Sequence, residues 1–195
     1  MRRFFIGAGH VTLILLLTGC ADESTEVTRV ETVTSEDAAA GPSSFVTSDR
    51  AIRLDDQCEA ESFNEVLGPG ACTSRNGGVD FDRFIALLTK TQSVGPWRIT
   101  PSVLEVEEGE TLPVMNMGSE AHTYTEVEEF GGGVEPALNE LSGNPDVAPE
   151  CAALASGDFI APGQSVDHTF EEEGVERYQC CIHPWMRQIV RTKGR

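Results

Sequence analysis

Within Tyr178-Gln179-Cys180-Cys181-Ile182-His183-Pro184-Trp185-Met186, two thiols, an imidazole and a thioether fall inside seven residues. Side chains so close in sequence meet on one ion only if the backbone turns tightly between them, so this stretch constrains the fold before any other. Soft sulfur donors select copper or zinc, and two His, one Cys and a long axial Met form the recurrent donor set for one-electron copper. Zinc has no use for the Met, although a zinc site on Cys180, Cys181 and His183 is an alternative from spacing alone.

Cysteine parity points the same way. Beyond Cys20 the chain holds Cys58, Cys72, Cys151, Cys180 and Cys181, an odd number for an oxidising compartment. One thiolate ligand leaves four cysteines for two disulfides.

Residues 1–19 read as a secretory signal peptide, because Arg2 and Arg3 precede the apolar run Val11 to Leu17, which ends in small residues. That run is too short to span a bilayer. Leu17-Thr18-Gly19-Cys20 resembles a bacterial lipobox, which implies lipidation of Cys20, a membrane anchor and an extracytoplasmic folded part. Of the 14 basic side chains, Arg2 and Arg3 would leave with the signal, so 12 would face 32 acidic ones, a net charge of −20. Such a surface repels nucleic acid and steers toward basic partners, or simply keeps the protein soluble in salt.

From Cys20 to residue 49 the chain is Thr, Ser, Glu, Asp and Ala without an apolar period, and reads as a disordered linker. Residues 50–93 are expected to form a small helical extension stapled by Cys58 and Cys72. Its helix is predicted from Phe81, Phe84, Ile85 and Leu88 at i, i+3, i+4 and i+7, with the apolar face on the following domain. From residue 94 short strands alternate with turns, as in an all-β sandwich. Strands are predicted over Val103 to Val106, Thr111 to Met117, Ala121 to Val127, Ser165 to Phe170, Val175 to Cys180 and Arg187 to Thr192. Pro113 cannot donate to a ladder, so its strand is expected at an edge or with a bulge. The insertion 131–158 is too rich in Gly and Pro for regular structure and is predicted to be a long loop.

Residues 94–195 resemble the cupredoxin family, the type 1 blue copper proteins. The resemblance lies in Ile99 to Thr111, in Asn116-Met117-Gly118-Ser119-Glu120-Ala121-His122-Thr123, and in Cys180-x2-His183-x2-Met186. It implies a Greek-key β-sandwich in which His122, Cys180, His183 and Met186 hold one copper ion. Three ligands then sit on one tight loop and the fourth on a neighbouring strand. Cys181 departs from the family pattern, which places a small or hydroxyl residue there. It is read as a disulfide partner of Cys151, with a free thiol beside Thr123 or a second copper ligand in a CuA-like site as alternatives. Trp185 is a candidate either for shielding the metal or for docking, against ordinary loop packing. His168 shares a strand face with Val166 and Phe170 and is read as a satisfied strand histidine. The function so implied is one-electron transfer between membrane-associated redox proteins by a non-enzymatic monomer. A copper-handling protein without a redox cycle, or an electron-accepting domain of an oxidoreductase, is the alternative.

Overall fold

A computed structural model describes residues 50–195. The signal segment, Cys20 and the linker to residue 49 lie outside the described residues. The order is β1 (Ile52–Asp55), α1 (Ala60–Leu67), α2 (Phe81–Thr91), β2 (Arg98–Thr100), β3 (Val103–Glu107), β4 (Glu110–Asn116), β5 (His122–Thr123) and β6 (Thr125–Val127). Helices α3 (Pro136–Leu141) and α4 (Pro149–Ala152) follow, then β7 (Phe159–Ile160), β8 (Ser165–Phe170), β9 (Gly174–Gln179) and β10 (Arg187–Lys193).

Two four-stranded sheets form, in the orders β2-β1-β4-β8 and β3-β10-β9-β6, and β5 pairs with β7 as a short ribbon. Pairing is antiparallel except between β1 and β4 and between β10 and β3. Period-two alternation sets the faces. In β3, Leu104 and Val106 point inward between exposed Val103, Glu105 and Glu107. In β4 the inward series is Leu112, Val114 and Asn116, so an amide ends the buried row near the site. Ile52, Leu54, Leu112, Val114 and Phe170 of one sheet share a core with Leu104, Val106, Tyr178 and Val190 of the other. This is an all-β sandwich. Each fully buried side chain of this size contributes roughly 1.5–3 kcal/mol.

The segment 50–93 does more than add helices. Its strand β1 lies between β2 and β4, with Arg53 opposite both Thr100 and Met115. Its two helices are capped by their own acids: Glu59 accepts from the Glu61 and Ser62 amides, and Asp80 accepts from the Arg83 amide. Phe84 and Leu88 are buried on the inner face of α2. The Phe84 ring meets Trp97 at 4.8 Å and Phe63 at 5.4 Å. Cys58 and Cys72 are bonded, tying the start of α1 to the loop beyond it.

Three expectations require correction. Strand β4 is internal to its sheet and carries no bulge at Pro113. Pro113 pairs with Asp167 of β8, while the ladder to β1 starts one residue later at Val114, so the missing N–H leaves no gap in that ladder. The insertion 131–158 contains two helices, each with a proline in its first turn: Pro136 and Pro149 start helices because a first-turn residue needs no N–H partner. The single strand expected over Ala121 to Val127 is split at Tyr124, with β5 on β7 and β6 on β9.

Candidate metal centre

The strand break at Tyr124 delivers the first site residue. His122 leaves β4 through a loop tied down by Asn116, whose Nδ2 donates to the Glu120 carbonyl at 2.8 Å and the Ile160 carbonyl at 2.7 Å. The Asn116 side-chain oxygen accepts from the Gly118 amide at 2.9 Å. Cys180 follows the last residue of β9. The Cys180 amide donates to the Met186 carbonyl at 3.0 Å, and the Met186 amide donates to the His183 carbonyl at 2.8 Å. These two bonds close the seven-residue turn.

His122, Cys180, His183 and Met186 are all buried. The Cys180 Sγ lies 3.7 Å from Nδ1 of His122 and 3.7 Å from Nδ1 of His183. Donor atoms of these three residues fall within 4.8 Å of one another. The two ring centroids are 5.1 Å apart. Met186, at the end of the same turn, is fully buried in the core. The Thr123 amide donates to Sγ at 3.4 Å, which fixes the sulfur and stabilises its anion.

Sequence reasoning missed the groups behind the rings. His122 Nε2 donates to Asp56 Oδ2 at 2.9 Å, and both side chains are wholly buried. Asp56 Oδ2 also accepts from the Ser119 amide at 2.7 Å and the Glu120 amide at 3.0 Å. His183 Nε2 faces Glu120 Oε2 at 3.7 Å, and that oxygen accepts from Trp97 Nε1 at 2.5 Å. No local spacing links Asp56 to a histidine 66 residues away. Both carboxylates also lie close to the Cys58 sulfur, but that sulfur is in a disulfide and is no thiolate ligand.

Electrostatics follow from this packing in the absence of metal. Burial raises the Cys180 thiol pKa, yet hydrogen bonds and charge from His122 and His183 hold it well below the usual thiol range. Burial lowers the His122 pKa, but the Asp56 hydrogen bond and then Cys180 raise it to about 10. Burial raises Asp56, and the bonds from His122, Glu120 and Ser119 bring it below its ordinary value. Glu120 stays raised, chiefly by burial.

Cys180 is the free cysteine among the described residues. Cys181 is bonded to Cys151. The Cys181 amide donates to Thr123 Oγ1 at 2.8 Å, and its carbonyl accepts from the Val134 amide at 2.7 Å. A Cβ on Gly133 would collide with that carbonyl. Arg187 Nε donates to the Pro184 carbonyl at 2.7 Å and its Nη2 donates to Asn144 at 2.5 Å. The insertion therefore clamps the site loop from outside. Trp185 packs edge-on against His183 at 5.4 Å and meets Phe84 at 5.9 Å. His168 is remote from the group and its Nε2 contacts Tyr178 Oη at 2.9 Å.

Two imidazoles whose Nδ1 atoms converge on one thiolate, with both far nitrogens turned to carboxylates, suit a soft cation such as copper. A crevice of about 400 Å³ between α1, α2 and α3, lined by Phe63, Phe81, Phe84, Leu138 and Ile182, also touches Glu120 and His183.

No family model matches the chain, and no curated protein sequence matches it. Solved structures do. The purple cupredoxin from Nitrosopumilus maritimus is 25% identical, the match covering 51% of this chain and 86% of that chain at a TM-score of 0.38. A reduced, Cu(I) amicyanin mutant is 22% identical, over 52% of this chain and 78% of that one, at a TM-score of 0.35. An oxidized amicyanin mutant gives 22%, 52%, 78% and 0.35. The two mixed sheets of the sandwich hold His122, Cys180 and His183 buried beside a turn closed by Met186, and it is cupredoxins that the chain is similar to among these solved structures.

Proposed function

We propose that this domain binds one copper ion through His122, Cys180, His183 and Met186 and carries single electrons outside the cytoplasm. The observation that carries the reading is the buried Cys180 sulfur held 3.7 Å from the Nδ1 of each of two histidines. Bound copper would supply a one-electron couple. The chain supplies everything else: the Asn116 and Thr123 bonds hold the ligand positions before metal arrives, and burial of the side chains excludes water. Such a fixed, dry donor set keeps reorganisation small when the charge of the ion changes.

Burial also favours a carrier over a copper-handling protein. His183 is only 3% exposed and the other three residues are fully covered, so an acceptor protein has no free ligand face from which to take the ion. His183 is nonetheless next to the crevice over α1 and α2, and in this reading electrons leave by that edge. The acidic surface suits a basic redox partner. The two disulfides fit an oxidising compartment. Among the described residues, no helix is long and apolar enough to cross a membrane. In this reading the attachment comes from a lipid on Cys20, and the domain acts as a monomer without catalysis of its own.

The test is Cu(II) addition to the purified domain, followed by visible and EPR spectra and voltammetry. An intense thiolate-to-copper band at one ion per chain, lost in Cys180→Ala, with a reversible one-electron wave, is the expected result. A colourless complex that leaves the Cys180→Ala variant unaffected would overturn it. Tight binding without a reversible wave would favour copper handling.

A further inference from the structure

We infer that Asp56, supplied by the segment ahead of the sandwich, is the positioning residue of the metal centre: it holds His122 with Nδ1 turned to Cys180. The inference deepens the copper reading and its second half, the effect on potential, rests on it. An ionised carboxylate can only accept, so the 2.9 Å contact keeps a proton on Nε2 of His122 and makes Nδ1, which faces Cys180, the nitrogen that would bind metal once its own proton is displaced. Asp56 is itself immobilised. Its Oδ2 takes the Ser119 and Glu120 amides, its Oδ1 takes the Cys58 amide at 3.4 Å, and the Cys58–Cys72 bond anchors that backbone. Gly118 completes the seat, because a Cβ there would collide with the Asp56 carboxylate.

The two carboxylates behind the rings are not equivalent. Asp56 is in direct hydrogen-bond contact with its histidine, whereas Glu120 lies 3.7 Å from His183 Nε2 and is committed to Trp97. Asp56 therefore orients a ligand and places negative charge behind it, while Glu120 contributes charge alone. Both biases favour the more highly charged, oxidised ion. The helical segment is thus part of the centre as well as a cover over it: without β1, His122 has no carboxylate.

Asp56→Asn keeps the shape and the amide acceptor but removes the charge. In the metal-free protein, the ring Nε2 proton of His122 is expected as a slowly exchanging imidazole NMR resonance that disappears or shifts strongly in Asp56→Asn and persists in Glu120→Gln. With Co(II) as probe, Asp56→Asn is expected to weaken binding about 10–100-fold, as loss of such an outer partner does elsewhere. With copper, the Cu(I)/Cu(II) ratio at the wild-type midpoint is expected to rise about tenfold, which for a one-electron couple is about 59 mV. The Glu120→Gln change is expected to be smaller in both measurements. If the wild type shows the copper band but Asp56→Asn stays within twofold of it in Co(II) affinity and in the copper ratio, the inference fails and the proposed function stands. A wild type that takes up no copper overturns the proposed function and the potential effect, while the metal-free resonance still decides the positioning role. Absence of that resonance from folded wild type overturns the positioning role even if Asp56→Asn does not fold.

Discussion

Cys181 is disulfide-bonded to Cys151 with 5.4 Å between their Cα atoms, while its neighbour Cys180 keeps a free, buried sulfur turned to two histidines. Adjacent residues thus serve two ends: one staples the insertion to the loop, the other forms the site. The staple closes a segment of 30 residues. Its loss in the Cys151→Ala/Cys181→Ala double variant is expected to lower stability by about 3–4 kcal/mol in the chain-entropy model. Urea unfolding measures this, and the copper-thiolate band should survive because Cys180 is untouched. Disappearance of the band would contradict the division of roles.

Asn116 is the pin of the loop that carries His122. Replacing it with Ala strands the buried Glu120 and Ile160 carbonyls and frees the half-buried Gly118 amide. The expected cost is about 2–3 kcal/mol, since buried groups left without partners forfeit their solvation. A second consequence follows for the site: the copper-thiolate band should shift or weaken in the same variant, which a purely global loss of stability would not cause in the folded fraction.

Phe84 joins the helical segment to both the sandwich core and the site loop, through Trp97 and Trp185. Phe84→Ala is expected to cost about 3–5 kcal/mol, the usual range for emptying a buried aromatic site. Denaturant unfolding should show one cooperative transition, because β1 of the same segment is paired inside a sheet. An early, separate transition would show instead that the helices unfold independently of the sandwich.

The protein has two tyrosines, Tyr124 and Tyr178, stacked at 4.4 Å. Burial raises the pKa of Tyr124 above its ordinary value, reinforced by Tyr178, Glu176 and Glu126. Burial likewise raises that of Tyr178, with Glu176 and Glu126 adding to it. Both groups hold their protons more firmly when folded, so their contribution to stability is complete below the unfolded value of about 10 and is lost as pH rises beyond it. Tyrosinate absorbance near 295 nm should therefore stay flat through pH 10 and appear only together with loss of the folded circular dichroism signal. A smooth ionisation near pH 10 in the folded protein would contradict the buried stack.

Much of the site was legible because its chemistry is local. Cys180, His183 and Met186 lie on one turn, and the Asn116-to-His122 segment has its own recognisable spacing. The amphipathic stripe of α2 and the alternation of β3 and β10 follow from side-chain periods that any solvent-facing element must obey. The prolines of the insertion misled for a physical reason: Pro136 and Pro149 break a helix interior but start a helix well, and only their neighbours' packing distinguishes the two.

By itself, then, the sequence determined the donor types, their order along the chain, the acidic surface and the two-layer β pattern, since each depends on composition or on spacing over a few residues. Tertiary structure decided the rest. Partners far apart in the chain are invisible to local periodicity, so only the folded chain could set β1 between β2 and β4 and put Asp56 behind His122. Those contacts are made by long-range packing, and they bring His122, Cys180 and His183 together.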